Sequence, residues 1–169
     1  MAKRSDTETN RLSREEMARQ FLTYYYPIHY KAGIRVEDAL RGGELGRHQV
    51  AILWLIHNEG RAGRELRRKE IEKSLKGWFD ISGAAITKAI RGMAAEPLAL
   101  VRQDDDPASG REKTVRLTPK GEQYIKDMIE RGTAYIELIV DRLSEKGKAE
   151  GLNFFREITV AVEDIERGK

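Results

Sequence analysis

The stretch "LALVRQDDDPASGREKTVRLTPKG", residues 98–121, changes the period of the chain from that of a helix to that of a strand. "LALVRQ" and "EKTVRLT" alternate, with Val115 and Leu117 on one face and Thr114 and Arg116 on the other. The intervening "DDDPASGR" is made of turn formers, so the two alternating runs predict a β-hairpin with a polar tip. Thr118 then offers a helix N-cap, and Pro119 falls at the first helical position, where a missing N–H does no harm.

Immediately upstream, "SGAAITKAIRGM" (residues 82–93) has helical spacing. Ile86, Ile90 and Met93 recur on one face, while Thr87, Lys88 and Arg91 fall on the other. Ser82 or Asp80 is its N-cap, and Ser82, Gly83 and Ala84 leave the helix start almost bare of side chains. A shorter helix precedes it, with Ile71 and Leu75 inward and Arg68, Lys69, Glu72 and Lys73 outward. Two short helices joined by a tight link and followed by a hairpin form a winged helix-turn-helix. The basic residues concentrate in this middle region: Arg61, Arg64, Arg67, Arg68, Lys69, Lys73 and Lys76 lie within sixteen positions. Small residues at the start of the second helix let its backbone and first N–H groups approach phosphates, and Thr87, Lys88 and Arg91 are placed to reach base edges or phosphates. Tight packing against a neighbouring helix is the plainer reading of the same small residues.

Outward from this centre the chain is helical. "LSREEM" carries a capping box, Ser13 with Glu16, which starts a helix near residue 14. Its stripe of Met17, Phe21, Tyr24 or Tyr25 and Ile28 runs into Pro27, where a kink or break is expected. Gly42 and Gly43 punctuate a turn before "ELGRHQVAILWLIHNEG", apolar almost all round and therefore a central, buried helix. After the hairpin a long helix carries Ile125 to Leu143. The glycines of "SEKGKAEG" allow a turn, and a last helix carries Leu152, Phe155, Ile158, Val162 and Ile165.

The fold class is thus mainly α with a small β-hairpin wing. Residues 1–12 read as a flexible polar arm, 13–43 as an N-terminal dimerisation helix, 44–118 as the DNA-binding winged helix, and 119–169 as C-terminal dimerisation helices. The terminal stripes hold more apolar surface than a winged helix of this size covers, so part of each belongs to a homodimer and part to the internal core.

Composition sets bounds on function. The 169 residues are 35% charged and 40% hydrophobic, carry a net charge of +3 and contain no cysteine, which excludes disulfides, thiolate metal sites and thiol redox sensing. The longest apolar run, "AILWLI", is far too short to span a membrane, and "MAKRSDTETNR" lacks the apolar core of a secretory signal, so a cytoplasmic location is expected. Asp104–Asp106 sit on a hairpin, where a solvated turn is the expected reading rather than a cation site. His29, His48 and His57 show no metal-ligand spacing, and neither a nucleophile motif nor a phosphate loop is present. No enzyme, metal or cofactor is expected.

The segment from Leu100 to Gly121 resembles the wing of the MarR (multiple antibiotic resistance regulator) family, in which an acidic residue and a basic tip are followed by V-x-L-T-x-x-G. Val115, Leu117, Thr118 and Gly121 match, as do Asp106 and Pro107. The resemblance extends to the order of elements over most of the chain. It implies that Arg111 enters the minor groove, although Ser109 stands where the family has an aspartate two residues before that arginine. Pro97 and Ala99 replace the glycine that usually ends the recognition helix, and "KGWFDI" is longer than the usual link. The resemblance further implies a two-fold dimer and a small aromatic effector held between the terminal helices and the winged helix. Tyr25, His29, Trp54 and His57 are the candidate lining, with ordinary core packing as the alternative.

Together these readings predict a sequence-specific double-stranded DNA-binding regulator, a repressor rather than an activator, acting on a pseudo-palindromic site. Lys69, Lys73 and Lys113 are assigned to phosphates, Ser82, Gly83 and Ala84 to the approaching helix tip, Thr87, Lys88 and Arg91 to the major groove, and Arg111 to the minor groove. A winged helix that docks proteins, or serves as an accessory subunit of a nucleic-acid complex, is the competing reading.

Overall fold

A computed structural model describes residues 12–106 and 109–168, with Arg111 described by its backbone alone. The expected arm at residues 1–12 and the wing tip at Pro107 therefore lie, but for Leu12, outside the described residues. In chain order the elements are α1 (Arg14–Tyr26), a π-helical segment (Pro27–Gly33), α2 (Ile34–Arg41), α3 (Arg47–Glu59), β1 (Glu65–Arg67), α4 (Arg68–Trp78), α5 (Gly83–Ala94), β2 (Val101–Asp106), β3 (Ser109–Leu117), α6 (Pro119–Val140) and α7 (Glu145–Glu166). Among the described residues no helix is long and apolar enough to cross a membrane.

The core lies in the middle of the chain, where three helices pack on a small sheet. Ile52, Leu53 and Ile56 of α3, Ile71 and Leu75 of α4, and Ile86, Ile90 and Met93 of α5 are all essentially inaccessible to solvent. They join Leu100 just before the sheet, Val101, Val115 and Leu117 within it, and Ile125 and Met128 from α6 in one cluster. Burying each such aliphatic side chain contributes about 1.5–3 kcal/mol, which is why the short helices α4 and α5 hold their places.

The sheet has three strands, not two. β1 pairs antiparallel with β3 (Leu66 opposite Val115), and β3 pairs antiparallel with β2 (Val101 opposite Leu117), giving the order β1-β3-β2. At three residues β1 is too short to declare a period in the sequence. The ladder between β2 and β3 shifts register between Asp105 and Asp106.

The V-x-L-T-x-x-G pattern has a structural cause at each position. Val115 and Leu117 are buried against the helices. The Thr118 hydroxyl accepts from the Gly121 N–H (3.0 Å) and donates to the Ala99 carbonyl (2.7 Å), capping α6 while tying it to the chain that leaves α5. Gly121 is required by close approach, since a Cβ there would lie 2.0 Å from the Leu100 carbonyl oxygen.

Ser13 and Glu16 form the expected capping box. Pro27 does not end the N-terminal helix; the backbone continues through seven residues of π-helix into α2, the wider turn accommodating the missing donor. The turn between the last two helices falls at 141–144, with Ser144 capping α7, so Gly147 and Gly151 lie inside α7 rather than in the turn. Neither α1, α2, α7 nor the π-helical segment has a single buried residue. Phe21 stacks on Phe154 with ring centroids 5.5 Å apart, joining the two ends of the chain.

Candidate nucleic-acid interface

Helix α5 stands on the surface of the core with Ile86, Ile90 and Met93 inward, which turns Ala84, Lys88, Arg91 and Gly92 outward. Ser82 is its N-cap, and its hydroxyl accepts from the Ala85 N–H (3.2 Å). Ala84, Thr87, Lys88, Arg91 and Gly92 line one open depression, so the residues assigned to the major groove form a continuous face.

Thr87 is less free than its helical position suggested. It is half-buried, its hydroxyl donates to the Gly83 carbonyl (2.8 Å), and the same oxygen accepts from Arg68 Nη2 (2.7 Å). Arg68, read from sequence as an outward residue of α4, is likewise half-buried and spends a donor on α5. Glu72 lies beside the start of α5, where a Cβ on Gly83 would come within 2.9 Å of its Oε1. Lys76 Nζ meets that carboxylate at 2.7 Å. The hydrogen bond from Lys76, its charge, and the more distant Arg68 hold the Glu72 carboxyl below its ordinary range.

The flanking cations differ in how much charge they can offer. The Lys69 side chain is 84% exposed, with Glu112 only at 4.0 Å, and Lys73 is exposed. Lys113, by contrast, is paired with Asp105 at 2.5 Å. Arg111 lies in β3 by its backbone, and its side chain is outside the described residues.

Each acid of the Asp104–Asp106 run meets a different base. Asp104 faces Arg102 (3.0 Å) and Arg116 (3.5 Å), Asp105 faces Lys113, and the buried Asp106 accepts from Arg67 Nε (2.7 Å). This hydrogen bond, with the Asp106 charge beside it, raises the Arg67 guanidinium above its ordinary value. Among the described residues no group of three or more His, Cys, Asp or Glu is placed to hold a metal ion.

The candidate effector residues form two ring pairs. Tyr25 stacks on His29 (5.0 Å between centroids) beside Tyr30, and Trp54 tilts against His57 (5.9 Å) on α3. Trp54 and His57 are exposed, so α3 buries the side that carries Val50, Ile52, Leu53, Leu55 and Ile56 and is not buried all round as its sequence suggested. His57 also edges an apolar depression of about 210 Å³ with Leu117, Ile125 and Ile129.

Comparison with known proteins agrees with this architecture. Residues 45–121 match the family model of a winged helix DNA-binding domain. No curated protein matches the chain by sequence. Among solved structures, the transcriptional regulator Tm0710 from Thermotoga maritima is 23% identical with a TM-score of 0.64, over 89% of this chain and 99% of that one. A MarR transcriptional regulator from Methanosarcina mazei is 18% identical with a TM-score of 0.64, over 86% and 99%. Sco3205, a MarR family transcriptional regulator from Streptomyces coelicolor solved in complex with DNA, is 21% identical with a TM-score of 0.57, over 94% and 92%. The chain is a winged-helix protein with the fold of the MarR-family transcriptional regulators.

Proposed function

We propose that this chain is a sequence-specific double-stranded DNA-binding transcriptional regulator, acting as a homodimer and as a repressor on a pseudo-palindromic operator. The observation that carries the reading is the outward face of α5. Methyl groups, two exposed cations and a bare glycine lie together on a helix whose start is free of bulk, the requirement for entering a major groove. Lys69 and Lys73 supply salt-dependent phosphate contacts beside it, Lys113 adds to them when it leaves Asp105, and Arg111 takes the minor groove. Ser82, Gly83 and Ala84 form the approaching tip.

Dimerisation is supported by area. A compact monomer of 19.3 kDa exposes about 8,500 Å², whereas this chain exposes 13124 Å². Part of this excess is apolar, on exposed side chains of α1, α6 and α7. That suits an extensive two-fold interface built from α1, α7 and the end of α6. Leu22, Leu152, Phe155 and Ile165 are each more than 60% exposed in the single chain.

The effector part of the proposal places a small aromatic molecule against Tyr25, His29, Trp54 and His57, releasing DNA when bound. Small phenols titrated into a preformed protein–DNA complex test it directly.

The whole reading is tested by selecting bound sequences from a random duplex library with purified protein at about 150 mM salt, where non-specific attraction is weak. Enrichment of an inverted repeat is expected. Absence of enrichment with folded, dimeric protein would favour a protein-docking winged helix instead.

A further inference from the structure

The internal bonding of Thr87 determines what it can read, if α5 enters DNA as proposed above. Arg68 has donors only, so its contact with Thr87 Oγ1 (2.7 Å) requires that oxygen to accept. The single hydroxyl proton is therefore directed to the Gly83 carbonyl at 2.8 Å, the backbone acceptor one turn back. Thr87 has no donor left for purine N7 or thymine O4. Its remaining groups are one oxygen lone pair and the γ-methyl, and it lines the outward depression together with the Ala84 methyl and the cations Lys88 and Arg91.

We infer that Thr87, with Ala84 beside it, recognises a thymine in each half-site through the 5-methyl group, by apolar contact rather than by a hydrogen bond. The 5-methyl of thymine projects into the major groove and is the one apolar group that a base edge offers there. The locked hydroxyl is the device: Arg68 and the Gly83 carbonyl fix the Thr87 rotamer before DNA arrives, so the methyl is presented without further ordering.

The test uses full-length protein and the duplex recovered by selection, with each thymine replaced singly by deoxyuridine, which lacks only the methyl. One thymine per half-site is expected to lose about fourfold in affinity on replacement, the worth of one buried methyl group. Thr87→Ser keeps both hydroxyl bonds and removes the methyl, and should abolish the penalty at that thymine. Thr87→Val keeps a methyl and removes the hydroxyl, and should preserve the penalty. The inference is overturned if no thymine is sensitive, if Thr87→Ser leaves every penalty intact, or if Thr87→Val abolishes the preference that Thr87→Ser retains. Failure to recover any operator would instead bring down the DNA-binding reading on which the inference rests.

Discussion

Arg67 Nε donates to Asp106 Oδ2 at 2.7 Å, joining the residue before α4 to the far end of β2 across 39 positions of sequence. Asp106 is only 8% exposed at its side chain, and the Arg67 backbone N–H is itself held by Glu70 (3.1 Å) at the start of α4. The wing is thereby braced against the helix-turn-helix rather than hinged only at its base.

Removing the charge from this brace should loosen the wing without unfolding the core. Asp106→Asn is expected to weaken operator binding on the order of tenfold, within the usual range for coupling between sites. Amide exchange should quicken in β2 and β3 but not in α4 or α5. Equal protection in the wing with unchanged affinity would show that the brace is dispensable.

Glu72 should act against DNA. Its carboxylate lies beside the start of α5, where the helix dipole would otherwise favour a phosphate. Glu72→Gln is predicted to tighten binding to operator and random duplex alike by about two- to fivefold, with the gain largest at low salt. Weaker binding would assign Glu72 to holding α4 and α5 together. The variant is read by fluorescence anisotropy over a salt series.

Two backbone substitutions should move stability in opposite directions. Gly121→Ala would drive a Cβ into the Leu100 carbonyl and should cost about 3 kcal/mol or more in chemical denaturation. Ala99, with φ of 45°, occupies the left-handed region that glycine adopts freely, and Ala99→Gly is expected to stabilise by about 0.5–1 kcal/mol.

Charge placed on the exposed stripe of α7 should separate protomers and spare the winged helix, because the buried cluster takes nothing from α7. Phe155→Glu, at a position 63% exposed in the single chain, should sediment as a folded monomer. It should lose on the order of a hundredfold in affinity for a complete palindrome, and much less for a half-site. A dimer that persists would move the interface away from this stripe.

The legibility of the fold followed the strength of its local signals. Ser13 with Glu16, Thr118 with Pro119, and the alternation through Val115 and Leu117 each state a boundary or a period within a few residues, and each corresponds to an element. β1 was missed because three residues carry no period. The turn before α7 was misplaced because Gly147 and Gly151 suggested a break, while Ser144 had the stronger capping chemistry.

The outward face of α5 could be read from helical spacing alone, but its bonding could not. The Arg68–Thr87 and Arg67–Asp106 contacts link residues 19 and 39 positions apart, and such pairs become visible only when the helices and wing are in place.

The most direct test of DNA recognition is the ratio of dissociation constants for the selected inverted repeat and for a scrambled duplex of equal length and composition at about 150 mM salt. A specific dimeric regulator should prefer the repeat by about 10³-fold or more, with one dimer bound per duplex. Equal affinities, falling together as salt rises, would mean that the basic face meets only phosphate, and would contradict sequence-specific recognition by α5.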